Sequence, residues 1–210
     1  MIKKHDFIEV DYTVIIKEGN IVFDTTSEKI AKKENIFSKN AKYKPVIICV
    51  GEHQVPEGLD ESFIGKDNEE YQVTLHPEKA FGKKNPKLLH LMSQTSFRKQ
   101  NIAPYPGLQM NIDGMIGIVR TVTPGRVIVD FNHQLAGKEI IYKVKILRKV
   151  EDKKEKLDSI LEFYVKDFES EIKDKEAVIT AKIPEELHEI IKKKISSLIN
   201  SIEKITIKKE

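Results

Sequence analysis

The chain is 210 residues long, 40% hydrophobic and 33% charged, with a formal net charge of +3; this suits one large domain or two to three small ones with real cores. No run approaches the ~18 apolar residues of a transmembrane helix, so no membrane partner is expected. The lone cysteine, Cys49, excludes an internal disulfide and fits a reducing, cytoplasmic setting.

Met1 to Asp6 lead into an alternating segment broken by Glu9 and Asp11, not into the continuous apolar stretch of a signal peptide. Ile8 to Ile16 alternate at period two and predict a strand with one buried face. Gly19-Asn20 marks a hairpin turn, and Ile21 to Asp24 return as a second strand. Residues 25–44 are polar and Lys-rich and read as a long loop. Pro45 opens the apolar run Val46 to Val50, in which Cys49 reads as a core residue, and Gly51 closes it. Val55, Leu59 and Phe63, spaced by four, predict one short helix over 55–64, ended by a left-handed cap at Gly65. Tyr71 to Leu75 form another strand. Two segments then end at glycine turns about fifty residues apart: Pro77-Glu78-Lys79-Ala80-Phe81-Gly82 and Asp130 to Lys138.

Between these two segments the composition changes. Residues 85–129 hold Lys87, Arg98, Lys99, Arg120 and Arg126 against a single acid, Asp113. Leu88, Leu89, Leu91 and Met92 lead into a polar stretch with Pro104 and Pro106. Strands at Leu108–Ile112, Met115–Val122 and Val127–Phe131, with turns at Gly114 and Pro124-Gly125, predict a small β meander. Ile140 to Leu147 are a strand that rejoins the first domain. One domain interrupted by another is the expected arrangement.

Past Val150, Glu151 to Lys156 read as a charged linker. Leu157, Ile160, Leu161, Tyr164 and Phe168 follow helical spacing, and Ala177 to Ile183 alternate as a strand. Pro184 with Glu185 and Glu186 starts a helix with an apolar stripe of Leu187, Ile190, Ile191, Ile195, Leu198 and Ile202. Ile205 and Ile207 mark a last strand. Residues 151–210 carry 13 lysines and no arginine against 15 acids, a solvated, densely charged module. Two clear strands are few for a free-standing unit. The module is therefore expected to complete itself by forming a homodimer or by packing on the rest of the chain.

Six motifs now fall in one order: Tyr12; Phe23-Asp24; Pro45 to Ile48 with Gly51; Val55-Pro56-Glu57-Gly58-Leu59; Pro77 to Gly82; and Asn132 to Gly137. This order resembles the FKBP-type peptidyl-prolyl isomerases over residues 1–150. An insert just after the Ala-Phe-Gly turn is the mark of the SlyD-like branch, and the C-terminal extension resembles that of the long archaeal FKBPs. The resemblance implies an α+β fold. An FKBP domain at 1–85 and 130–150 would wrap a curved antiparallel sheet on a short helix. An insert-in-flap chaperone domain would fill 86–129, and 151–210 would be an α+β extension.

The implied activity is isomerisation of X-Pro bonds, against a barrier of ~18–20 kcal/mol set by amide resonance. The twisted amide of the transition state has a less polar C–N bond, so a water-poor aromatic pocket favours it by differential binding. No nucleophile, metal or cofactor is required. By resemblance the pocket is lined by Tyr12, Phe23, Asp24, Val46, Ile48, Val55, Leu59, Phe81, Leu135 and Tyr142, with His133 nearby. Leu59 stands where many relatives have tryptophan, Gln134 where proline is common, and Phe81 where tyrosine is usual, which removes a hydroxyl donor toward the substrate. The six histidines (His5, His53, His76, His90, His133 and His188) lack metal-ligand spacing.

Apart from the initiator, all the methionines (Met92, Met110 and Met115) fall in the insert. Methionine is flexible and polarizable and suits promiscuous apolar surfaces. With Tyr105, Leu108, Ile112 and Ile116 they form the expected surface for unfolded or nascent polypeptides containing proline; the alternative is that they fill the insert's own core. The mild basic excess offers phosphate contacts, but Tyr105 makes a poor stacking platform, and no nucleic-acid partner is expected. The rival function is a holdase that grips polypeptide without turnover.

Overall fold

The computed structural model describes residues 1–112 and 114–209. Asp113, the acid counted above within the insert, lies outside the described residues, as does Glu210. The chain divides into two units, residues 1–75 with 140–210, and residues 76–139.

In the first unit, β1 (Phe7–Ile16) is the central strand. It pairs antiparallel with β2 (Ile21–Thr25), β3 (Val46–Cys49) and β9 (Ile140–Val150), and β9 pairs with β4 (Glu70–Leu75). The β1–β2 turn has Gly19 at φ 79° and Asn20 at φ 51°, left-handed values that glycine and asparagine tolerate best. A helix, α1 (Glu28–Lys33), interrupts the expected loop. Ser27 caps it, Glu28 sits at its start and Lys32 and Lys33 at its end, matching the helix dipole. With only Ile30 and Ala31 apolar, it has no stripe for a periodicity argument to detect. Helix α2 (Glu57–Ser62) forms as expected, with Leu59 on it and Phe63 just beyond it both fully buried.

The C-terminal residues build a second sheet in the same unit: β10 (Phe168–Lys173), β11 (Glu176–Ala181) and β12 (Lys204–Lys208), in the order β10-β11-β12. Strands β11 and β12 are parallel, which requires a crossover; helix α5 (Glu185–Leu198) supplies it. Three readings change here. The charged stretch 151–156 is not a linker throughout, because α4 (Lys153–Glu162) starts within it, capped by Asp152, which accepts from the Glu155 backbone N–H at 2.9 Å. Phe168 opens β10 instead of extending the helix, so the sheet gains a third strand. Ile190 faces solvent, and the buried stripe of α5 is centred on Ile191 and Ile195.

This sheet and its helices do not close a core by themselves. Leu157, Ile160, Leu161, Ile179, Ile191 and Ile195 share one apolar cluster with Phe7, Cys49 and Val150. The module thus packs on the rest of the chain, against the outer face of β1, β3 and β9. Arg148 ties the junction, with a forked pair to Glu155 at 2.9 Å and a bond to Glu9 at 2.7 Å. Lys44 reaches Glu162 at 3.0 Å, and Lys194 pairs with Glu52.

The second unit is a four-stranded antiparallel sheet, β5-β8-β7-β6: β5 (Leu89–Ser93), β6 (Gln109–Ile112), β7 (Met115–Thr123) and β8 (Arg126–Asp130). The expected meander is β6 to β8. Strand β5 forms from the apolar lead Leu89 to Met92, and helix α3 (Gln94–Lys99) from the polar stretch that follows it. Phe97 on α3 plugs the core with Val119, Val127 and Val129. Gly117 is needed for close packing, since a Cβ there would meet Val129 at 2.6 Å and Phe131 at 2.8 Å.

Candidate active site

Strand register assembles the site in the first unit. Ile8 lies opposite Ile48, Val10 opposite Val46, and Val14 opposite both Asp24 and Tyr142. Directly opposed residues share a face of the sheet, and alternate residues along a strand do too. Tyr12, Asp24, Val46, Ile48 and Tyr142 therefore stand on one face. Phe23 is the extra residue of a bulge, because the register slips between Val14–Asp24 and Ile15–Val22. Bulges re-aim side chains, and Phe23 is partly exposed.

The Tyr12 hydroxyl donates to Asp24 Oδ2 at 3.1 Å, and the Thr25 backbone N–H donates to Asp24 Oδ1 at 2.8 Å. Both carboxylate oxygens are thus held. The Tyr12 and Tyr142 rings meet edge to face at 6.4 Å and 61°. Burial first, then the Asp24 charge, pushes the Tyr12 phenol above its ordinary range. The Tyr142 phenol rises from burial first, then from Tyr12 and Asp24. Both stay protonated at neutral pH.

Val55, half-buried, immediately precedes Pro56 and α2, and Leu59 is fully buried on that helix. Asp60, absent from the sequence reading, pins the loop before the helix. Its buried carboxylate accepts from the backbone N–H of Gly51 at 2.8 Å and of His53 at 3.3 Å. Gln54 Oε1 adds a bond from the Cys49 N–H at 2.6 Å.

In the second unit, the Phe81 and His133 rings stack at 4.6 Å, only 2° from parallel. The Leu135 N–H donates to His133 Nδ1 at 3.2 Å, and Leu135 itself is buried. The two glycine turns of the sequence reading are joined directly, the Gly137 N–H donating to Gly82 O at 2.8 Å. Farther along, Asn132 clamps the paired segments: its Oδ1 accepts from the Asn85 N–H at 2.8 Å and its Nδ2 donates to Asn85 O at 3.1 Å. Asn132 also donates twice to Asp130 Oδ1, at 2.8 and 2.9 Å, while Arg120 donates to Asp130 Oδ2 at 3.0 Å. Burial pushes the Asp130 carboxyl up, but the Asn132 bonds and Arg120 outweigh it and hold the group below the ordinary carboxylate range.

The histidines have separate surroundings: His76 pairs with Glu139 at 2.7 Å, His5 with Glu52 at 3.3 Å, and His90 packs on Phe131.

The expected polypeptide-binding residues divide. Met92, Leu108 and Met110 pack against the core of the second unit. Tyr105, Met115 and Ile116 are exposed, and Ile112 is half-buried. The opposite face of the sheet carries an apolar row of which the sequence reading assigned only Ile116. Leu91 lies opposite Ile128, and they are 64% and 36% exposed; Ile116 is 64% and Leu89 43% exposed. Period-two alternation could have found this row: Leu89 and Leu91 alternate with His90 and Met92.

Among the described residues no helix is long and apolar enough to cross a membrane. The profile of the FKBP26 IF domain matches residues 91–135. The chain is 34% identical over 147 residues to the short-type peptidyl-prolyl cis-trans isomerase of Methanocaldococcus jannaschii, covering 70% of this chain and 92% of that protein. It is 28% identical over 109 residues to the FKBP-type 16 kDa peptidyl-prolyl cis-trans isomerase of Escherichia coli K12, covering 50% of this chain and 73% of that one. It is 26% identical over 109 residues to the FKBP-type isomerase SlyD of Pasteurella multocida, covering 50% of this chain and 54% of that one. With an aromatic and aliphatic sheet face backed by a short helix, and with nearly the whole length of the methanogen protein matched, the chain belongs to the FKBP-type peptidyl-prolyl cis-trans isomerase family.

Proposed function

We propose that the chain accelerates X-Pro isomerisation in folding polypeptides and holds unfolded chains on the exposed sheet of its second unit. The observation that carries the first half is the sheet face of Tyr12, Asp24, Ile48 and Tyr142, which Leu59 joins through the family resemblance. Its one carboxylate is already bonded at both oxygens, so an otherwise apolar surface meets the substrate. Such a surface solvates a planar, dipolar amide poorly and a twisted, less dipolar one comparatively well. The difference lowers the barrier without any covalent step. Val46, Val55 and Phe23 extend the apolar contact, and Phe81, His133 and Leu135 join the reading through the family resemblance.

The second half rests on the row Leu89, Leu91, Ile116 and Ile128. An exposed apolar sheet face binds unfolded chain weakly and broadly, and holding a client raises the effective concentration of its prolines near the catalytic face.

A proline-limited refolding assay tests both halves. The full chain should accelerate the slow phase and suppress client aggregation. Replacing residues 86–129 by a short Gly-Ser turn should leave short-peptide isomerisation in place while refolding catalysis and aggregation suppression fall sharply. Survival of all three activities would make the insert irrelevant; loss of peptide turnover in the full chain would remove the isomerase reading.

A further inference from the structure

Tyr142 is almost wholly buried, yet its hydroxyl reaches solvent and bonds to no described group. The other phenol of the catalytic face, on Tyr12, is committed to Asp24, and Phe81 has no hydroxyl to offer. Resting on the isomerase reading above, we propose that Tyr142 Oη is the side-chain hydrogen-bond donor of this site, taken up by a backbone carbonyl oxygen of the bound polypeptide.

The choice of acceptor follows from the chemistry. Ground-state resonance loads negative charge on the oxygen of the X-Pro amide, and twisting removes it. A donor on that oxygen would favour the planar state and slow the reaction. The carbonyl of the proline residue itself lies outside the twisting amide and keeps its charge throughout. A donor there holds the substrate equally in the planar and twisted states, so it contributes to binding and leaves the chemical step alone. Burial keeps the phenol protonated, so the donor persists across neutral and mildly alkaline pH. The ring is held independently of its hydroxyl: it packs edge to face on Tyr12, and its strand is flanked by β1 and β4.

Tyr142→Phe removes the donor and little else. Its thermal midpoint should match the wild type, because the lost hydroxyl bonds to no described group of the free protein. A neutral hydrogen bond is worth ~0.5–1.5 kcal/mol, so kcat/KM on a short proline peptide should fall about two- to tenfold. The fall should appear in KM, with kcat within about twofold, and calorimetric affinity for the same peptide should weaken by the same factor. Unchanged kcat/KM and affinity would overturn the proposal, as would a loss confined to kcat. Absence of peptide turnover in the wild type would instead overturn the isomerase reading on which it rests.

Discussion

Triple substitution of Leu91, Ile116 and Ile128 by threonine separates client holding from folding of the second unit. Threonine supplies the β-branching that a pleated strand favours, and all three side chains face solvent; stability should change little. Full burial of a leucine or isoleucine is worth ~1.5–3 kcal/mol. With Leu91 and Ile116 at 64% exposure and Ile128 at 36%, a client covering all three would gain roughly 3–4 kcal/mol. Ordering costs and incomplete coverage leave about half of that, or roughly a 10- to 30-fold change in Kd. Fluorescence anisotropy with a labelled, permanently unfolded polypeptide reads the affinity, and light scattering of a denatured client reads holding. Short-peptide isomerisation should stay at the wild-type rate. The paired control is Met92→Ala with Met110→Ala. These side chains pack against Phe97, Val119, Val127 and Val129, so this pair should lower the stability of the second unit by a few kcal/mol. If the threonine variant bound client within twofold of wild type while remaining folded, the assignment of this face would be refuted.

Three further outcomes are expected. Tyr12, Tyr71 and Tyr142 all have phenol pKa values raised above the ordinary value, mainly by burial. Their stabilisation is fully present below about pH 10, where unfolded phenols keep their protons, and is lost as pH rises through the folded values; denaturation midpoints should be flat up to that point and then fall, and normal tyrosine titration in the native protein would contradict this. Burial, followed by the charge of Glu52, pushes the Cys49 thiol up to about 12, so thiol reagents should label native protein slowly; Ile195→Ala, which opens the shared core cluster at a cost of ~2–5 kcal/mol, should speed labelling, and equal rates would argue that the C-terminal module does not shield β3. Asn132→Ala removes both side-chain bonds to Asn85 and the side-chain bond to Asp130, leaving only the backbone bond to Asp130; hydrogen exchange at the amides of Asn85 and Phe131 should rise at least tenfold, and unchanged protection would show that the clamp does not hold these segments together.

Much of the first unit was legible in the chain because its signals are local. The alternation of Ile8 to Ile16 and the Gly19-Asn20 turn announced β1 and β2, and Val55, Leu59 and Phe63 announced α2. Helix α1 was missed because it is short and almost without a stripe, and strand β5 because its alternation of Leu89 and Leu91 with His90 and Met92 spans only five residues. Phe168 was misread because an apolar residue at helical spacing carries no mark of where a helix stops.

Composition and motif order alone determined the family resemblance, since it depends on which residues follow one another, and they set the interrupted arrangement as an expectation. Which face each residue joins was decided only in three dimensions. The methionines looked adaptable, yet two of them fill a core; the exposed row formed because pairing of β5 with β8 turned Leu91 and Ile128 outward together. Likewise the C-terminal module lacked strands by its sequence pattern, and its closure came from Phe7, Cys49 and Val150, residues far away in the chain. Burial depends on partners from other segments, so the same apolar residue becomes core or contact surface according to what the fold brings against it.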